Sequence, residues 1–156
     1  MSKIAWNTPL KLGLYTLKNR VFMAAMTRMR CDVKTGIPTD LMATYYSERA
    51  GSGLILTECS AWSPRGNGYP GAGDLYTREQ AEAWKKVTDA VHQKGGKIFV
   101  QLYHAGRATH PELNGGHEPW GPSAIAIRNE RIYQLNKIPF PAPKEMSLED
   151  IQTVQK

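Results

Sequence analysis

The sequence is short of the features that most readily assign a chain to a class. It holds two cysteines in 156 residues, Cys31 and Cys59, and neither belongs to a CxxC pair. A disulfide framework, a zinc ribbon and a thioredoxin-type redox pair therefore have no support, and both side chains read as reduced, partly buried thiols. The four histidines, His92, His104, His110 and His117, include no HExxH spacing, so no metal site is expected. No apolar run approaches the length of a membrane span, and the first residues lack the charged-then-apolar profile of a signal peptide. The expectation is a cytoplasmic chain with no membrane partner. Internal repeats and low-complexity tracts are also missing.

Charge of one sign is not concentrated either. Lys and Arg total 20 against 14 for Asp and Glu, a net charge of +6. The basic residues are scattered, as in Arg28 with Arg30 and Lys85 with Lys86, and acids lie between most groups. No helix face collects them, so nucleic acid is not the expected partner. An anionic cofactor or substrate explains the mild bias equally well. With 41% hydrophobic and 22% charged residues, the chain can form one ordinary core and not two.

What is present is an alternation of two periods. Residues 20–26 form a short, nearly continuous apolar run, as a buried strand does. Residues 39–50 read as a helix ending at Gly51, and residues 54–58 as a second buried strand. A Gly/Pro-rich loop covers 63–73. Thr77 and Gln80 then have the spacing of a capping box, and Ala81, Trp84, Val87, Thr88 and Val91 recur at helical spacing up to Gly95 and Gly96. A third strand is expected over 97–102. After it comes a long Gly-, Pro- and Asn-rich stretch, 103–146, of the kind that usually carries function. Ser147 to Asp150 then begins a further helix.

Strand–helix alternation of this kind implies an α/β fold with a parallel sheet, and in such folds chemistry gathers at the C-terminal ends of the strands. Three groups stand there: Ala25-Met26-Thr27, Thr57-Glu58-Cys59 and Gln101 to His104.

Several motifs in register then resemble one family. They are Pro9-Leu-Lys-Leu-Gly13, Leu17-Lys-Asn-Arg20, Met26-Thr-Arg28, Tyr45-Tyr46 with Arg49-Ala50, Gly53-Leu-Ile-Leu-Thr-Glu58 and Gly66-Asn-Gly-Tyr-Pro70. The longest runs from Trp84 through His92 and Gly95-Gly-Lys-Ile98 to Gln101-Leu-Tyr-His-Ala-Gly-Arg107, followed by Pro122-Ser-Ala-Ile125. In this order they resemble the old yellow enzyme family. The resemblance implies an FMN-containing (β/α)₈ TIM barrel that takes hydride from NADPH or NADH and reduces the activated C=C bond of an electrophilic alkene such as an enone.

The resemblance also implies roles. Thr27 matches the threonine that hydrogen-bonds the flavin O4, which makes it the catalytic candidate. Gln101 matches the glutamine at the pyrimidine edge. Ala25, Met26 and Cys59 match positions that contact the flavin largely through backbone, although Ala25 stands where proline is common and Cys59 where glycine or alanine is usual. Tyr103, where tryptophan is frequent, and Tyr69 are expected to border the substrate. His104 and Arg107 fit the motif but read as structural, and Trp84 as core. A complete barrel of this kind needs about 250 residues. The chain therefore reads as one segment, 1–156, of a single FMN-binding domain, with about three strands and two complete helices. The family's proton-donating tyrosine, its carbonyl clamp and its phosphate loops belong to later strands. Two partners follow from that reading: a complementary C-terminal segment, or self-association through the open strand edge. A non-catalytic half-barrel fragment acting through that edge is the alternative function.

Overall fold

The computed structural model describes residues 5–128, 131–132 and 137–155. It opens with a small antiparallel hairpin, β1 (Leu10–Leu12) and β2 (Tyr15–Leu17), turned at Gly13, whose φ of 55° lies in the left-handed region that favours glycine. Next come β3 (Phe22–Met23), α1 (Asp40–Ser47), β4 (Leu54–Ala61), β5 (Gly73–Asp74), α2 (Arg78–Gln93) and β6 (Ile98–Tyr103). The later part holds β7 (Trp120–Gly121), β8 (Arg131–Ile132), β9 (Ile138–Pro139), β10 (Lys144–Glu145) and α3 (Leu148–Val154).

β4 is the centre of a parallel sheet. β6 runs along one of its edges from Ile55 to Ala61. The other edge is shared: β3 pairs at Leu54 and Ile55, and β5 pairs at Ser60 and Ala61. The register along β6 slips between Leu56 and Cys59, so that Thr57 and Glu58 together oppose Val100. This is a β-bulge, a device that bends a strand and re-aims the side chains around it.

Both helices lie on one face of this sheet. Met42 and Tyr46 of α1 meet Trp84, Val87 and Val91 of α2 over Ile55 and Ile98, and all of them are buried. Helix α2 is amphipathic for the reason the spacing gave, and its start is fixed as expected. The Thr77 hydroxyl accepts from the Gln80 N–H at 3.2 Å, while the Gln80 side chain accepts from the Thr77 N–H at 3.0 Å. Ser147 and Asp150 build the same reciprocal cap on α3.

Four expectations need correcting. The strand over 20–26 is a two-residue ladder, Phe22 and Met23, and β5 joins the same edge of β4 only at Ser60 and Ala61. The second strand continues past Glu58 to Ala61, and the helix over 39–50 is regular only from Asp40 to Ser47. The stretch 103–146 is not all loop: β7 pairs with β10, and β8 with β9. Among the described residues no helix is long and apolar enough to cross a membrane.

Candidate functional site

Beyond Met23 the chain brings Thr27 to Cys59, toward the C-terminal end of β4. The Thr27 Oγ1 lies 3.0 Å from the Cys59 Sγ. Cys59 is in turn the direct ladder partner of Gln101 on β6. Thr27, Cys59 and Gln101 thus form a row across three neighbouring chain segments. Ala25 is half-buried beside it, and Met26 and Gln101 are exposed. Burial pushes the Cys59 thiol up, while its hydrogen bond with Thr27 pulls the other way. Neither cysteine is in a disulfide; Cys31 sits in the core against Met42.

The Gly-rich loop is held over the end of β6 by one tyrosine. The Tyr103 hydroxyl accepts from the Gly68 N–H at 3.0 Å and lies 3.2 Å from the Asn67 Oδ1, to which it donates. Asn67 also donates to Asp74 at 3.0 Å, and its Oδ1 accepts from the Tyr69 N–H at 3.0 Å. The Tyr69 and Tyr103 rings lie side by side, 6.3 Å apart and tilted by 33°. A side chain at Gly68 would meet the Ala105 Cβ at 2.7 Å, so the loop closes this tightly only with glycine there. Burial is the main reason the Tyr103 phenol is raised. His104 and Arg107 act as the sequence suggested: His104 Nδ1 accepts from the Gly106 N–H at 2.9 Å, and Arg107 donates to the Ile125 carbonyl at 3.1 Å. Trp84 is core, and its indole N–H donates to the Asp74 carbonyl.

Sequence reasoning put Glu58 at a strand end without giving it a task, and passed over Asn67 and Asp74. Glu58 is fully buried. Its backbone N–H donates to the Tyr46 hydroxyl at 2.8 Å, which ties β4 to α1. Its Oε2 accepts from the Arg28 N–H at 2.6 Å, and the Met29 N–H also points to this carboxylate. Met29 has φ of 53°, a left-handed backbone that costs a non-glycine residue on the order of 1 kcal/mol. Two successive N–H groups turned onto one anion form a nest, which offsets that cost. Burial raises the Glu58 carboxyl, and the backbone hydrogen bonds oppose it.

The profile of the NADH:flavin oxidoreductase / NADH oxidase family matches residues 7–156. The chain belongs to this family. It is 41% identical over 151 residues to the flavin oxidoreductase hxnT of Emericella nidulans, covering 94% of this chain and 39% of that protein. A probable flavin mononucleotide-dependent alkene reductase of Leishmania infantum is 38% identical over 149 residues, covering 92% and 40%. Among solved structures, the old yellow enzyme homologue from Zymomonas mobilis superposes with a TM-score of 0.89 at 36% identity, over 96% of this chain and 42% of that one. The chain therefore spans about two-fifths of the length of the relatives it matches, and its fold is the N-terminal part of the old yellow enzyme TIM barrel. In barrel terms β3, β4 and β6 are the first three strands, and Thr27, Cys59 and Gln101 stand toward their C-terminal ends. A cavity of about 610 Å³ lies away from this row. It is the groove between α2 and β6, lined by Trp84, Thr88, Ile98 and Phe99.

Proposed function

We propose that this chain carries one wall of the FMN site of an ene-reductase that takes hydride from NADPH or NADH and reduces the C=C bond of an electrophilic alkene. The observation that supports it best is the Thr27–Cys59–Gln101 row, with three hydrogen-bonding side chains side by side at the strand ends. A planar ring carrying carbonyl and N–H groups along one edge fits such a row. When bound, FMN supplies the hydride chemistry, and the protein supplies orientation and electrostatics. Thr27 donates a hydrogen bond that favours the electron-rich state of its acceptor. Gln101 offers both a donor and an acceptor to one ring edge. Ala25, Met26 and Cys59 line the same wall. Tyr69 and Tyr103 border the alkene, with Tyr103 held in place by Asn67 and Gly68. The proton donor and the carbonyl clamp are assigned to other strands of the same single domain, and a complementary C-terminal segment is the partner that supplies them. Cytosolic conditions suit two unpaired thiols.

The test has two steps. FMN is quantified by its visible spectrum in the purified chain, alone and mixed with the remaining barrel segment of a relative. In the flavin-loaded form, Thr27→Ala lowers the reduction potential by on the order of 30 mV, the loss of one charge-assisted hydrogen bond. An unchanged potential removes Thr27 from the site, and a colourless mixture removes the split-barrel reading. The exposed edge residues Phe99, Val100 and Leu102 favour the second reading, a non-catalytic half-barrel acting through strand-edge association. Stable self-association without any alkene reduction supports that one.

A further inference from the structure

Glu58 and Cys59 are consecutive on β4, yet both reach the same short segment of chain. Cys59 meets the Thr27 side chain, and Glu58 takes the Arg28 N–H. The bulge at Thr57 and Glu58 breaks the regular alternation of the strand at this point. The Arg28 N–H belongs to the planar Thr27–Arg28 peptide, so anchoring it also orients the Thr27 carbonyl and fixes the end of the Thr27 backbone. The left-handed turn at Met29 then carries the chain away at once, leaving Thr27 at the crest. Arg30 donates to the Arg28 and Met29 carbonyls, and the Arg28 N–H goes to Glu58.

We infer that Glu58 is the positioning residue for Thr27: its carboxylate anchors the Thr27–Arg28 peptide and so sets where the Thr27 hydroxyl stands. The consequence for the flavin rests on the function proposed above; the consequence for Cys59 does not. Because Thr27 holds the Cys59 thiol down by hydrogen bonding, the pH midpoint of Cys59 alkylation reports where that hydroxyl is. The Glu58 charge also acts on Cys59, so the decisive comparison is between two uncharged variants. Glu58→Gln keeps an acceptor for the Arg28 N–H, and Glu58→Leu fills similar space without one.

The experiment uses the full 156-residue chain, iodoacetamide as the probe, and mass spectrometry to separate Cys59 from Cys31. The midpoint for Cys59 is expected to lie higher in Glu58→Leu than in Glu58→Gln, and the difference vanishes when Thr27→Val is added to both. Equal midpoints in the two variants, or a difference that survives Thr27→Val, overturn the inference. Cys31, buried in the core, stays slow in any variant that remains folded. If Glu58→Leu exposes Cys31, the wild-type chain decides by pH titration in NMR. There the Arg28 amide and the Thr27 side-chain signals move with the Glu58 carboxyl, and independent movement overturns the inference. With FMN added, the flavin potential follows the same Gln–Leu order. If no form binds FMN even with the remaining barrel segment of a relative added, the proposed function fails, and the alkylation profile still decides the part played by Glu58.

Discussion

Asp74 is 3% exposed and ties three elements together at one point. Its Oδ1 accepts from Asn67 at 3.0 Å and its Oδ2 from the Tyr76 hydroxyl at 3.2 Å, while its N–H donates to the Gly36 carbonyl. Gly36 leaves no space for a side chain, since an added Cβ would stand 2.1 Å from the carboxylate. Burial outweighs the two hydrogen bonds and pushes the Asp74 carboxyl up to about 6. A raised carboxyl means that the folded chain binds the proton more tightly than the unfolded one. Stability from this group is therefore complete below the ordinary aspartate range and is lost as pH rises toward 6, by about 3 kcal/mol in all. Asp74→Asn removes that dependence, so urea unfolding of the two proteins between pH 3 and 7 gives a difference that grows with pH and favours the variant. A difference that stays flat over this range contradicts the assignment. Little in the sequence marks this residue out. A lone carboxylate in a Gly-rich loop looks the same whether it faces water or a core, and its burial depends on Trp84 and Gly36 arriving from other parts of the chain. Thr27, Cys59 and Gln101 were legible because each follows an apolar run at a strand end, where the fold class puts its ligands.

At the scale of elements, α2 depends on its first turn as well as on its apolar face. Its hydroxyl cap and the returning Gln80 amide satisfy N–H groups that the helix itself leaves without partners. Thr77→Ala is expected to cost about 1 kcal/mol, read as a lowered urea midpoint with an unchanged slope. Gln80 has a second task, since its Nε2 donates to the Thr35 carbonyl at 2.8 Å and joins the helix start to the turn before α1. The cap and the helical spacing were readable because both are local, three or four residues apart. The length of β3 was not. The residues of 21–26 are uniformly apolar and carry no mark of where pairing stops: the ladder ends with Met23 opposite Ile55, and beyond it the chain meets β4 through the Thr27 side chain instead. The short pairs β7–β10 and β8–β9 escaped notice for a similar reason, because two-residue strands carry no period.

At the scale of the whole molecule, the sheet is open at both edges among the described residues, and β6 is its longest edge strand. Among the described residues β6 pairs with β4 alone, and Phe99, Val100 and Leu102 remain 37%, 41% and 56% exposed. Unpaired backbone groups beside apolar side chains make a template for another strand. The chain by itself is expected to self-associate at micromolar concentration, and Val100→Lys to lower the associated fraction severalfold in sedimentation velocity. A variant that associates as strongly as the wild type places the contact elsewhere. This open edge was foreseeable, since a barrel reading with three strands leaves a fourth position unfilled.

The bulge in β4 has a consequence for how the strand tolerates change. A strand normally keeps one phase from end to end, so every residue's face follows from any other's. Here the phase resets between Leu56 and Cys59, and the strand behaves as two short words joined by a spacer. The first word speaks to the helices and the second to the open row. Substitutions within either word leave the other's meaning intact. Loss of a single residue at the spacer would leave Leu56 opposite Phe99 and Cys59 opposite Gln101 with one residue between them, removing the extra residue that lets Glu58 and Cys59 reach one segment. On this strand the spacing of residues is therefore more tightly constrained than their identity.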